Sequence, residues 1–378
     1  MPATAKQWLK RIRNLPLSGK VRIMNVCGGH ERAITMAGIR SALPQNIELI
    51  PGPGCPVCIC PEEDIYDAIQ LALHHHVILV AFGDMLRVPV NVPKREIRSL
   101  DQARASGADI RPVASPTEAL HVAQTNPDQP VVFFIAGFET TTAPVAAMLA
   151  QGIPDNLYLL LSGRRTWPAV EMLLKTGQAQ FDALIAPGHV ATIMGSDEWR
   201  FVAEQYKIPS AIAGFTPETL LAAMYSVLRQ LETGQCFLDN CYPELVHAGG
   251  NAVAKKCLEA TLDISDSNWR GIGVIPASGF ELKPGWNAHN ARQHFAYDND
   301  TSRKRIGEMP PGCDCAKVVL GQIYPHECIL YGRACTPRTP VGPCMVSDEG
   351  ACRIWWAGGI RGNLEKNRSG RCYINNKL

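Results

Sequence analysis

No run of apolar residues in this 378-residue chain approaches the roughly 20 that a membrane-spanning helix needs. The longest, such as residues 77–82 and 157–161, have the length of buried strands. Nor is there an excess of either charge. Thirty-seven basic residues face 35 acidic ones, a formal charge of +2, and the lysines and arginines are scattered. That balance gives no electrostatic case for nucleic acid or a membrane surface as partner. A basic stretch at residues 6–20 reads as a surface helix. No apolar signal segment marks the start, so a cytoplasmic setting is expected, where thiols are kept reduced.

Cysteine is missing from the whole middle of the chain, between Cys60 and Cys236, although the sequence carries 14. Cys27, Cys55, Cys58 and Cys60 lie before the gap. Cys313, Cys315, Cys328, Cys335, Cys344 and Cys352 crowd together after it. In a reducing compartment, such clustering points to metal ligands and redox thiols ahead of structural disulfides.

Short β-branched or apolar runs recur near residues 21–26, 47–50, 77–82, 109–113, 131–135, 157–161, 181–185 and 210–213. Stretches of helical periodicity separate them, and several open on proline or acidic residues, as a helix N-terminus does. Alternating strand and helix implies an α/β fold with parallel sheet covered on both faces. Eight such units can close into one barrel or form two open doubly wound sheets; the pattern does not choose. A break near residues 125–130 suggests halves at 21–128 and 129–235, after a surface helix within 1–20. A glycine-, proline- and cysteine-rich C-terminal region, 236–378, follows, and its last part is expected to need a metal centre to order it.

The loops after the strands carry the unusual chemistry: CGGH (27–30), PGPGCPVC (51–58), FGDMLRVP (82–89), GFETT (137–141), SGRR (162–165), APGHV (186–190) and AGF (213–215). Ligands of α/β folds bind outside the carboxyl ends of strands, where these loops sit. In Cys55-Pro-Val-Cys58, a helix start favours the thiolate and proline keeps the sulfurs close. The motif suits a dithiol–disulfide couple or two soft ligands for iron. Its plainer reading is half a structural zinc site, with Cys60 or His74–His76 as candidates for the other half. Cys27 stands beside two glycines that let the backbone approach a bound group, and His30 can supply a proton or orient the thiolate. Glu139 and His189 sit at helix starts and are read as lining a polar cleft, against the blander reading of a helix cap and a satisfied histidine.

The late cysteines are spaced C-x-C-x12-C-x6-C-x8-C-x7-C. This is neither a zinc ribbon, which pairs its ligands at both ends, nor the compact run of bacterial ferredoxins. Four separated thiolates still suit a [4Fe-4S] cluster, with zinc as the alternative.

Taken in order, CGGH, GPGCPVC, FGD-x-x-RVP, GFETT, APGHV and PVGPCMVSDEGAC (340–352) resemble the hydrogenase maturation factor HypD family, over about residues 21–352. The resemblance implies two similar α/β domains facing a cleft, and a third region holding a [4Fe-4S] cluster. It implies a role in assembling the Fe(CN)2CO group of nickel–iron hydrogenases, with a small HypC-type partner that supplies a cysteine and a HypE-type cyanide donor. By the same resemblance Cys27 is an iron-binding thiolate, Cys55 and Cys58 a dithiol pair, and Glu349 a functional acid. Cys315, Cys328, Cys335 and Cys352 are then the cluster ligands. Cys60, placed to exchange with the dithiol, and Cys372 depart from the family pattern. A free-standing dithiol oxidoreductase fed by the cluster, and a binding module with two zinc sites, are the rival functions.

Overall fold

The computed structural model describes residues 3–93, 95–295 and 309–361; Cys372 lies outside them. In chain order the strands are β1 (Val21–Asn25), β2 (Ile47–Pro51), β3 (Ile78–Phe82), β4 (Ile110–Val113), β5 (Val131–Gly137) and β6 (Leu157–Arg164). They continue with β7 (Ala183–Pro187), β8 (Ser210–Ala213), β9 (Leu238–Asn240), β10 (Leu262–Trp269) and β11 (Gly273–Leu282). All eight runs read from the sequence form strands, with ends moved by a few residues. Among the described residues they build two sheets and no barrel.

The first sheet has the order β2-β1-β7-β8-β9 and is parallel throughout. The second has the order β10-β11-β6-β5-β3-β4; it is parallel except where the β10–β11 hairpin adds to β6. Every residue of β5 is buried, which is why its sequence, VVFFIAG, shows no polar alternation. Helices cover both faces, among them Glu62–His74 and Glu139–Gln151. No described helix is long and apolar enough to cross a membrane.

The chain changes sheets three times, after β2, β6 and β9. The boundary expected at 128/129 therefore falls inside the second sheet, between β4 and β5. Residues 236–282, expected with the C-terminal region, complete both sheets. Strand–helix periodicity is the same on either side of each crossing, so it cannot mark where the chain moves over.

Residues 309–361 are short helices and turns packed on the second sheet. Val318, Tyr331, Met345, Ile354 and Trp355 share one core with Leu79, Phe134 and Phe138. Apolar burial, besides any metal, thus orders this segment. Arg270, buried in the β10–β11 turn, ties that turn to the segments after β2 and β3. Its Nη2 lies 3.1 Å from Glu62 Oε2 and donates to Pro89 O at 2.8 Å, while its backbone amide donates to Ile59 O at 3.0 Å.

Taking the guanidinium away from a buried carboxylate costs about 3–5 kcal/mol in comparable sites. Arg270→Met is expected to lower the urea midpoint accordingly, and Glu62→Gln added to it to recover most of the loss. A midpoint unmoved by the single change would show that the pair does not brace the turn.

Candidate functional site

β1 and β2 are neighbours with Asn25 opposite Pro51, so the loops carrying Cys27 and Cys55 leave the sheet side by side. They touch through backbone. Gly28 N donates to Gly54 O at 3.1 Å. A Cβ added to Gly54 would lie 2.5 Å from both Cα and N of Cys27, so only glycine permits the approach. CGGH is more than a loop: Cys27 is the N-cap of a helix, Gly28–Met36. Cys55 caps a one-turn helix, Pro56–Ile59, and is disulfide-bonded to Cys58. Asn25, Cys27, Gly54, Cys55, Cys344 and Glu349 line one pocket, whose free space of about 10 Å³ suits an object the size of one water.

Burial pushes the Cys27 thiol up to about 12, the Glu349 charge adding to it, while the amides of His30 and Gly29 favour the thiolate. A bound cation would reverse that balance. His30 is fully buried, with Nδ1 3.1 Å from Asn25 Oδ1 and Nε2 3.0 Å from Ala213 O. Burial drops its pKa to about 3. The neutral ring carries one N–H, which Nε2 donates to Ala213 O, and so fastens the Cys27 helix to β8. Asn25 completes the clamp by donating from Nδ2 to Cys27 O at 3.1 Å. His189, more exposed, stacks on Phe215 at 3.7 Å, and Phe215 in turn packs against Gly29.

Glu349 arrives from the C-terminal segment. Its backbone lies so close to Gly28 that an added Cβ there would sit 2.6 Å from Glu349 O. The protein packed around it and the Asp84 charge raise its carboxyl to about 7. Asp84 comes from the FGD motif of the second sheet: Ser347 Oγ donates to its Oδ2 at 3.2 Å and accepts from Glu349 N at 3.2 Å. Buried Glu31, in the Cys27 helix, accepts from Trp355 Nε1 at 2.6 Å and pairs with Arg40 at 2.8 Å. Sequence reasoning passed over Asn25, Asp84 and Glu31. A buried asparagine ending an apolar strand, and an acid straight after a strand, were the available signals.

Two expected participants lie elsewhere. Glu139 has no exposed surface and accepts from both Thr166 N, at 2.8 Å, and Thr166 Oγ1, at 2.7 Å. It braces the loop after β6. Cys60 is buried with its sulfur 3.4 Å from Ser162 Oγ, its thiol raised to about 12 by burial. It is held toward the second sheet.

Cys315, Cys344 and Cys352 bring their sulfurs within 4.8 Å of one another, a group able to hold a metal. Cys313 reaches Cys315 at 3.4 Å, and an added Cβ at Gly342 would lie 2.4 Å from the Cys313 sulfur. Of the expected ligand set, Cys315 and Cys352 meet, whereas Cys328 and Cys335 fall outside that group. Their own turns hold them back: Cys328 ends the turn Pro325–Glu327, and the Cys335 sulfur accepts from Val341 N at 3.4 Å. Cys335 still feels the charges of Cys315 and Cys313, and Cys328 that of Cys313. Hydrogen bonds from Cys315 and Cys344 pull Cys352 down, to about 6. Cys344 belongs to this nest and to the Cys27–Cys55 pocket at once.

Burial, with the Glu198 charge adding, raises Glu139 from 4.5 to about 7. The fold binds that proton more tightly than the unfolded chain does. Its contribution to stability is therefore complete below about pH 4.5 and lost as pH rises through about 7. Urea titrations across this window should show wild type losing stability relative to Glu139→Gln as pH rises. Parallel curves would mean that the carboxyl titrates normally.

The HypD family model, described as "Hydrogenase formation hypA family", matches residues 3–359. The hydrogenase maturation factor HypD of Azotobacter vinelandii is 40% identical over 368 residues, covering 94% of each chain. That of Escherichia coli K12 is 38% identical over 340 residues, 89% of this chain and 88% of its own. That of Rhodobacter capsulatus is 38% identical over 374 residues, 95% of this chain and 97% of its own. The chain belongs to the HypD family of hydrogenase maturation factors.

Proposed function

We propose that the chain is a scaffold and redox protein on which the Fe(CN)2CO unit of nickel–iron hydrogenase is assembled. One observation carries the reading: Cys27, Cys55, which is bonded to Cys58, and Cys344 line one small pocket. The iron is the cargo. Cys27 binds it as a thiolate, with Cys55 and Cys58 as further soft donors once their disulfide opens. A small HypC-type protein contributes another cysteine, and a HypE-type protein brings cyanide. Glu349, raised to about 7, can hold or release a proton at the rim near neutral pH.

The late cysteines suit a resident [4Fe-4S] cluster: the donors are all sulfur, five of the six are buried, and a backbone amide already donates to one of them. Cys315, Cys328, Cys335 and Cys352 would hold it. Bound there, it would supply single electrons. Cys344 stands between these ligands and the dithiol. Opening the Cys55–Cys58 bond takes two electrons and two protons and leaves two thiols that lose their protons to bind metal.

Isolated anaerobically with its small partner, the protein should show infrared stretches of cyanide and carbonyl. Cys27→Ala should abolish them, and bands that persist would sink the iron assignment. Gly54→Val, which drives the two loops apart, should also abolish them. About four irons and four sulfides per chain should remain in the C-terminal segment of both variants. Zinc without iron or sulfide would end this reading. Turnover of protein disulfides independent of Cys27 would favour a general oxidoreductase.

A further inference from the structure

We propose that the outer face of the cysteine nest is a docking surface for an acidic one-electron carrier protein. The inference rests on the reading that this nest holds a cluster, and adds the partner that would reduce it. Its buried cysteines share a core with Val318, Met345 and Val346, and Cys344 also lines the dithiol pocket. Outward, Cys328 and Cys335 lie just beneath exposed turns. Ile329, directly after Cys328, is 64% exposed.

Arginines stand on and beside these turns. Arg333 is exposed on a turn closed by bonds to Leu330 O from Arg333 N, at 3.1 Å, and Cys335 N, at 2.9 Å. Arg338 is exposed on the next turn, closed by reciprocal backbone bonds between Thr336 and Thr339. Arg87, from the second sheet, pins that turn by donating to Pro337 O at 2.8 Å. Arg361 lies over the ring of Trp356, beside Tyr331. Among the described residues, neither Arg333, Arg338 nor Arg361 is within ion-pair distance of a carboxylate. The acids nearby are engaged: Asp314 pairs with Lys317 at 2.8 Å, and Glu327 is tied back to Tyr324 N at 2.7 Å.

A nearly neutral protein thus presents three arginines, outside any ion pair with a described carboxylate, on or beside the turns that carry two of its candidate cluster ligands. Electron-transfer encounters are small and short-lived, and depend on complementary charge to find the right orientation. Arginine suits such a rim because it is weakly hydrated and pairs with carboxylates in a defined geometry. The carrier gives up one electron per encounter and leaves oxidised. Two encounters supply the two electrons that open the Cys55–Cys58 bond, and solvent supplies the two protons.

The test uses the full chain with its cluster and a fluorescently labelled acidic [2Fe-2S] ferredoxin as probe, without oxygen. Affinity should fall about tenfold or more between low and physiological salt. Arg333→Glu with Arg338→Glu should weaken low-salt binding about tenfold and slow ferredoxin-driven bleaching of the cluster in parallel. Iron and sulfide content, and bleaching by photoreduced deazaflavin, should not change. The pair Lys6→Glu with Lys10→Glu, on the exposed side of Ala5–Arg13, should leave binding intact. Affinity unmoved by the arginine reversals, or weakened equally by the lysine pair, overturns the docking face. A chain without iron or sulfide would instead defeat the underlying cluster reading.

Discussion

Backbone against backbone, where Gly54 meets Cys27, is the contact on which the site depends. Adjacent parallel strands deliver two loops to the same edge, but that alone leaves their side chains a strand spacing apart, about 4.8 Å. The missing side chain at Gly54 closes the remaining distance and lets Gly28 donate across the gap. His30 and Asn25 then hold the first loop from below, and Arg270 holds the far end of the second. Sulfur chemistry here is placed by a rigid frame, with little left to side-chain freedom.

The late segment completes the frame from the opposite side. Glu31 joins its last helix to the helix of Cys27, and Ser347 joins Asp84 of the second sheet to the backbone of Glu349. Burial raises the carboxyls of Asp84 and Glu349, so their protons become matters of structure. Glu139 is the counter-example: fully buried and, like Glu349, raised to about 7, it faces Thr166 and serves the scaffold.

Much of this was readable beforehand. The strands announced themselves because runs such as 131–135 are apolar on both faces, and the cysteine motifs fell at strand ends. What the sequence could not show was which strands are neighbours. The three sheet crossings hide behind uniform periodicity, so division into consecutive halves failed. His30 and Glu139 were legible as polar groups near loops, yet direction decides their roles, and one-dimensional spacing does not encode direction. Cys344 was set aside because the family resemblance favoured others; only packing reveals that it borders two sites.

The interleaved order of the strands also bears on synthesis. The first sheet waits for β9, the second for β11, and the pocket for residues 344–349. Such contacts span nearly the whole chain, a topology of high contact order that folds late and as a unit. A nascent chain still emerging from the ribosome would therefore expose cysteines but no organised nest of them. Competence to capture metal would arrive only with the finished polypeptide.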